Sequence, residues 1–204
     1  FVAFAVYAGA TVLSLRLRAF STRTLLAVFA LAAAMQAMLL FTPPTLSDDM
    51  YRYVWDGRVQ SLGTDGETGI SPYLFPPDAP QLAGLRDRQI WPQINRKSAV
   101  TVYPPAAQMA FAILWRIWPD SIRWFQFVMA AAGLLAGGLL VGLLKDLGRS
   151  SARVLIYLWS PLLAFETAHS AHIDALVLPL LVGSWWARLR QRDSLVGILL
   201  GLAT

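Results

Sequence analysis

Asp48 and Asp49 stand side by side where an apolar run gives way to a long polar segment. They open the stretch Ser47-Asp48-Asp49-Met50-Tyr51-Arg52-Tyr53-Val54-Trp55-Asp56-Gly57-Arg58. Adjacent like charges resist joint ionisation, so the pair calls for a positive partner or for chemistry that uses a carboxylate as a base. Arg52 and Arg58 supply cations at the same depth, and Tyr51, Tyr53 and Trp55 supply aromatic faces. The plainer alternative is a solvated helix start, with Ser47 as N-cap and the two acids complementing the helix dipole. A second polar cluster, Glu166-Thr167-Ala168-His169-Ser170-Ala171-His172-Ile173-Asp174, holds both histidines of the chain. The i, i+3 spacing of Glu166, His169 and His172 puts them on one helix face. Such a set could hold a divalent ion or bind phosphate through protonated imidazoles, and the alternative is a hydrogen-bonded polar turn between helices.

The elements that must position these residues are read from hydropathy and charge. The 204 residues are 56% hydrophobic and only 14% charged. Their mean hydropathy is +0.52. That charge fraction lies well below the globular norm of about 25%, and the apolar runs are long, which points to an all-α polytopic membrane protein. There is no cysteine, which excludes disulfide and thiolate chemistry. The net charge of +5 does not mark a nucleic-acid binder, because nine of the 17 basic residues lie in three clusters between apolar runs: Arg16, Arg18, Arg23; Lys145, Arg149, Arg153; Arg188, Arg190, Arg192. This is the pattern expected of cytoplasmic turns. The chain begins at Phe1 and stops inside an apolar run, so it reads as a piece of a longer protein.

A single transmembrane domain over 1–204 is expected, with spans at about 1–15, 24–41, 123–144, 154–165, 175–187 and 194–204. An ordered extracytoplasmic loop covers 43–105, and its segment from Tyr51 to Leu62 can form an amphipathic helix lying at the interface. Gly63 to Gly69 reads as a flexible turn, followed by the proline-stiffened strip Ser71 to Pro77. The run 106–118 is short for a span and is read as a re-entrant or surface helix. Only then do all three basic clusters fall inside. The glycines at 133, 137, 138 and 142 suggest close helix packing, and Pro161 a kink. The histidine cluster then lies on the same outer face as Asp48 and Asp49.

With these residues in place a resemblance emerges. The Ser47–Arg58 stretch, Ile70-Ser71-Pro72-Tyr73 and Thr101-Val102-Tyr103-Pro104-Pro105 are similar to the bacterial polyprenol-phosphate-sugar-dependent mannosyltransferases of the C-type superfamily of integral-membrane glycosyltransferases. The resemblance implies transfer of a sugar, expected to be mannose, from a polyprenol-phosphate donor to an extracytoplasmic glycan, lipid or protein acceptor, with inversion at the anomeric carbon. It also implies a multi-pass protein of the inner (plasma) membrane, in contact with its lipids and not with nucleic acid. By position, the catalytic carboxylate falls on Asp49 or Asp48, and the second loop's role on His172 or Asp174. Arg52, Arg96, Lys97 or a histidine would stabilise the departing phosphate. Tyr53, Trp55, Arg58, Tyr73, Tyr103 and His169 complete the expected binding surface. A divalent ion, Mg or Mn, on Asp48, Asp49 and Asp174 is left open. Relatives often carry a spaced Asp-x-Asp where this chain has an adjacent pair, and the segment Thr64–Thr68 has no counterpart in the pattern. A transporter or flippase of lipid-linked sugars would use a similar surface, but should place charged sites near the bilayer midplane.

Overall fold

The computed structural model describes residues 2–17, 19–63 and 69–204. Among these residues the regular structure is entirely helical. The expected turn at Gly63 to Gly69 and the Thr64–Thr68 segment fall largely outside the described residues. Contacts gather the chain into two compact units, Phe1–Pro43 with Phe127–Thr204, and Pro44–Gln126.

The first unit contains α1 (Val2–Arg16), α2 (Thr22–Leu40), α8 (Asp174–Leu189), α9 (Asp193–Leu202) and most of α5 (Ile122–Asp146). Ser21 caps α2 by accepting the Thr24 N–H at 3.1 Å. Among the described residues, two helices are long and apolar enough to cross a bilayer, α2 with 19 residues and α5 with 25. α1 and α9 are apolar but shorter. The run expected as one span over 154–165 is instead broken. It forms α6 (Val154–Leu158), then α7 (Pro161–Ala164), then a π-helical turn over Phe165–His169. Pro161 is the cause, since it has no N–H to continue the helix and its ring excludes the carbonyl four residues back.

Val28, Ala32, Val154, Leu155 and Leu158 form a buried cluster in this unit. The α5 glycines let neighbours approach. A Cβ on Gly137 would lie 2.5 Å from Leu158 Cδ2, and one on Gly142 2.6 Å from the Trp186 ring. Gly138 faces open space. The glycine pattern is therefore used for packing within the unit, as its spacing suggests.

The second unit is built on α3 (Asp49–Leu62) and α4 (Pro105–Ile117), which pack against each other. Pro105 takes the first position of α4, where a missing N–H costs nothing. Thirteen residues at 1.5 Å each give about 20 Å, short of a hydrocarbon core of about 30 Å. α3 departs from the amphipathic surface helix expected from its sequence, because residues 50 and 52–59 are all buried. α4 covers one side, and the short 3₁₀ turns Pro80–Leu85 and Trp91–Gln93 also pack on it. Its polar residues are inside because they are paired there.

Arg58 is the clearest case. Its guanidinium reaches Asp120 at 2.7 Å, donates to the Leu85 carbonyl at 2.9 Å and pairs with Asp87. Burial alone would raise the Asp87 carboxyl, but the Ile90 N–H, the Arg58 guanidinium and the Gln89 N–H together hold it below the usual range. A carboxyl depressed in the folded state stabilises the fold above its unfolded value, about 4, and loses that contribution as pH falls further. Asp87→Asn is therefore expected to lower the thermal midpoint of the whole chain at pH 7, with the gap to wild type closing on acidification below about pH 4. A gap that stays constant down to the acid transition would show that Asp87 contributes nothing by ionising.

Candidate active site

Asp49 is the first residue of α3, and its N–H donates to Ser47 Oγ at 3.3 Å. The carboxylate is half-buried, and its Oδ1 accepts from Asn95 Nδ2 at 2.9 Å. Asp48, one residue earlier, is exposed and makes no capping hydrogen bond. The adjacent pair is therefore split by geometry, with one acid held against the loop and the other left in solvent.

One turn along α3, Arg52 is buried. Its Nε donates to Asp56 Oδ1 at 2.7 Å and its Nη1 to the Ala99 carbonyl at 3.0 Å. Burial pushes the Asp56 carboxyl up, opposed by the Arg52 charge and by hydrogen bonds from Gln108, Arg52 and Thr101. Asp49, Arg52, Asn95, Arg96 and Tyr103 line one concavity of about 330 Å³. Arg96 is exposed and takes a left-handed backbone, with φ 45°. Burial, and secondarily the Asp49 charge, pushes the Tyr103 phenol up, so it stays a neutral hydroxyl at physiological pH. A carboxylate, two guanidinium groups and a phenol thus share one polar hollow.

The other residues singled out from sequence are placed elsewhere in this unit. Tyr53 stacks on Phe111 with centroids 4.6 Å apart and meets Tyr103 edge-on at 5.0 Å. Trp55 is buried with the Arg58 guanidinium 5.7 Å from its ring. Tyr73 is exposed and its hydroxyl donates to the Tyr103 carbonyl. Lys97 Nζ donates to the carbonyls of Ile94 at 2.7 Å and Pro92 at 2.9 Å, and sits 5.2 Å from the Trp91 ring. These contacts shape the unit.

In the first unit, His172 Nδ1 pairs with Glu166 Oε2, and the His172 N–H donates to the Glu166 carbonyl at 2.9 Å. His169 is buried edge-on to Phe165, with centroids 5.8 Å apart. Asp174 is exposed at the first position of α8. Glu166, His172 and Asp174 line a largely apolar cavity of about 630 Å³ that also includes Leu162, Leu163 and Leu178. Among the described residues, no three His, Asp or Glu side chains are grouped to hold a metal ion.

Sequence reasoning passed over Asn95, Asp56 and Gln108. The signal for Asp56 was the i, i+4 spacing from Arg52, which places the two on one helix face. Asn95 and Gln108 carried none, because their partners lie 46 and 52 residues away along the chain.

Residues 2–204 match the sequence model of the alpha-(1→6)-mannopyranosyltransferase N-terminal domain family. The chain belongs to that family. Mannosyl transfer, a glycosyltransferase reaction, is the activity that goes with it. No curated protein matches the chain, and neither does any solved structure.

Proposed function

We propose that the protein transfers mannose from a polyprenol-phosphate donor to an acceptor hydroxyl on the extracytoplasmic side of the plasma membrane, with inversion at C1, as a multi-pass enzyme of the C-type superfamily. The observation that carries this reading is the placing of Asp49 and Arg52 in one concavity, with Arg96 and Tyr103 beside them. Asp49 takes the proton of the acceptor hydroxyl as its oxygen attacks C1. The bond from C1 to the phosphate oxygen breaks, and the electron pair leaves with the phosphate. Arg52 and Arg96 stabilise the charge that develops there.

Two apolar helices point to membrane association. The large apolar residues left exposed on α1 and α2, among them Phe4, Val6, Leu26, Leu31 and Met38, support it. The test is transfer by the full-length enzyme in membranes, with polyprenol-phosphate mannose offered against a nucleotide-linked mannose. Product from the lipid donor alone, with the anomeric configuration opposite to the donor's, is the expected result. Product from the nucleotide sugar, or retention at C1, would refute the reading.

Topology gives a second check, motivated by the three basic clusters. Ser98 and Arg149 are both exposed. Ser98→Cys should react with a membrane-impermeant thiol reagent in intact cells, and Arg149→Cys only after permeabilisation. The reverse pattern would place the concavity in the cytoplasm.

A further inference from the structure

Arg52 carries five N–H donors, and its contacts leave some of them unused. Nε is taken by Asp56 and Nη1 by Ala99, whereas Nη2 is buried with no partner. A buried cationic N–H without an acceptor carries a desolvation cost that folding does not return. The residue is only 5% exposed, yet it lines the concavity that holds Asp49. A ligand oxygen arriving there would complete its hydrogen bonding.

Asp56 has no comparable access, being 1% exposed. Its two oxygens are both committed, Oδ1 to Arg52 Nε and Oδ2 to Gln108 Nε2 at 2.8 Å. Gln108 is itself held from both sides. The same Nε2 reaches Thr101 Oγ1 at 2.7 Å, and its Oε1 accepts from Gln60 Nε2 at 2.7 Å. The carboxylate is therefore fixed by α4 and by the 101 loop, and it fixes the guanidinium in turn. Long cationic side chains otherwise spread over many rotamers, and a planar fork is useful only when its plane is set.

We infer that Asp56 is the positioning residue of the site: braced by Gln108, it sets the Arg52 guanidinium so that Nη2 meets a phosphate oxygen of the donor. The inference rests on the transfer reading of the concavity given above. Asp56 then acts on the donor through Arg52, and it has no role towards the acceptor hydroxyl.

The test uses the full-length enzyme in membranes with polyprenol-phosphate mannose as the varied substrate. Asp56→Asn keeps the size of the side chain and removes its charge. It should raise the KM for the donor and the inhibition constant of free polyprenol phosphate by about tenfold or more, in line with a hydrogen bond to a charged group. The KM for the acceptor should not move. Arg52→Lys should shift the same two constants, and the double variant should fall well short of the product of the single effects.

A purely structural Asp56 would reduce the amount of folded enzyme and leave both donor constants at their wild-type values, which would overturn the inference. Additive single effects would overturn it as well. Should Asp56→Asn fail to accumulate, Gln108→Met loosens the same carboxylate. A rise in donor KM there supports the inference, and an unchanged donor KM defeats it. A wild-type enzyme that ignores polyprenol-phosphate mannose defeats the transfer reading itself. A wild-type enzyme that uses it, beside an Asp56→Asn form with unaltered donor constants, defeats the positioning role alone.

Discussion

Asp49→Asn should lower mannosyl transfer by the full-length enzyme about a hundredfold or more, the range typical for loss of a general base. The substitution keeps the size and shape of the side chain, and the amide oxygen can still accept from Asn95 Nδ2, now 2.9 Å from the carboxylate. What it removes is the basicity that takes the acceptor's proton. Donor affinity should change much less, because the phosphate is met by Arg52 and Arg96. Asp48→Asn should stay near wild type, since Asp48 is exposed, lies outside the concavity and caps nothing with its side chain. If both single variants keep near-normal turnover, the pair is a helix start only and the base lies elsewhere.

The contrast between these two acids shows where sequence reading stops. The sequence shows two carboxylates at a helix start, Asp48 and Asp49, either of which could be the base. Nothing local distinguishes a solvent-facing acid from one held by Asn95, because that contact depends on a loop returning from 46 residues away. Helix positions were more accessible. Continuous apolar runs announced α2 and α5, and the shorter apolar run 106–118 announced α4. The role of α3 was hidden for a physical reason. Its Arg52, Asp56 and Arg58 look like the polar face of a surface helix, yet Arg52 and Asp56 pair with each other and with the Ala99 carbonyl and Gln108, and Arg58 pairs with Asp87, Asp120 and the Leu85 carbonyl, so these polar groups can be enclosed. Periodicity records residue type, and it cannot tell a charge in water from a charge paired inside.

Gly57→Ala should destabilise the protein by about 1–3 kcal/mol, the usual cost of forcing extra volume into a packed contact. Gly57 sits mid-helix in α3, flanked by Asp56 and Arg58. By propensity alone, alanine there should stabilise by up to about 1 kcal/mol. The packing reverses that sign. A Cβ at this position would lie 2.5 Å from the Phe111 carbonyl oxygen and 2.9 Å from Trp115 Cβ. Neither atom is the end of a flexible side chain, so relief requires α4 to move away from α3. That movement would also strain the Gln60–Gln108 and Asp56–Gln108 hydrogen bonds that cross the same contact. Donor KM should therefore rise alongside the loss of stability. Gly138→Ala supplies the control, since an added Cβ there meets nothing within 4 Å and only the propensity gain remains. Thermal unfolding of both variants in the same detergent should place Gly57→Ala below wild type and Gly138→Ala at or above it. Equal midpoints for the two would mean that α3 and α4 are not held at the distance described, and that the brace on Arg52 tolerates their separation.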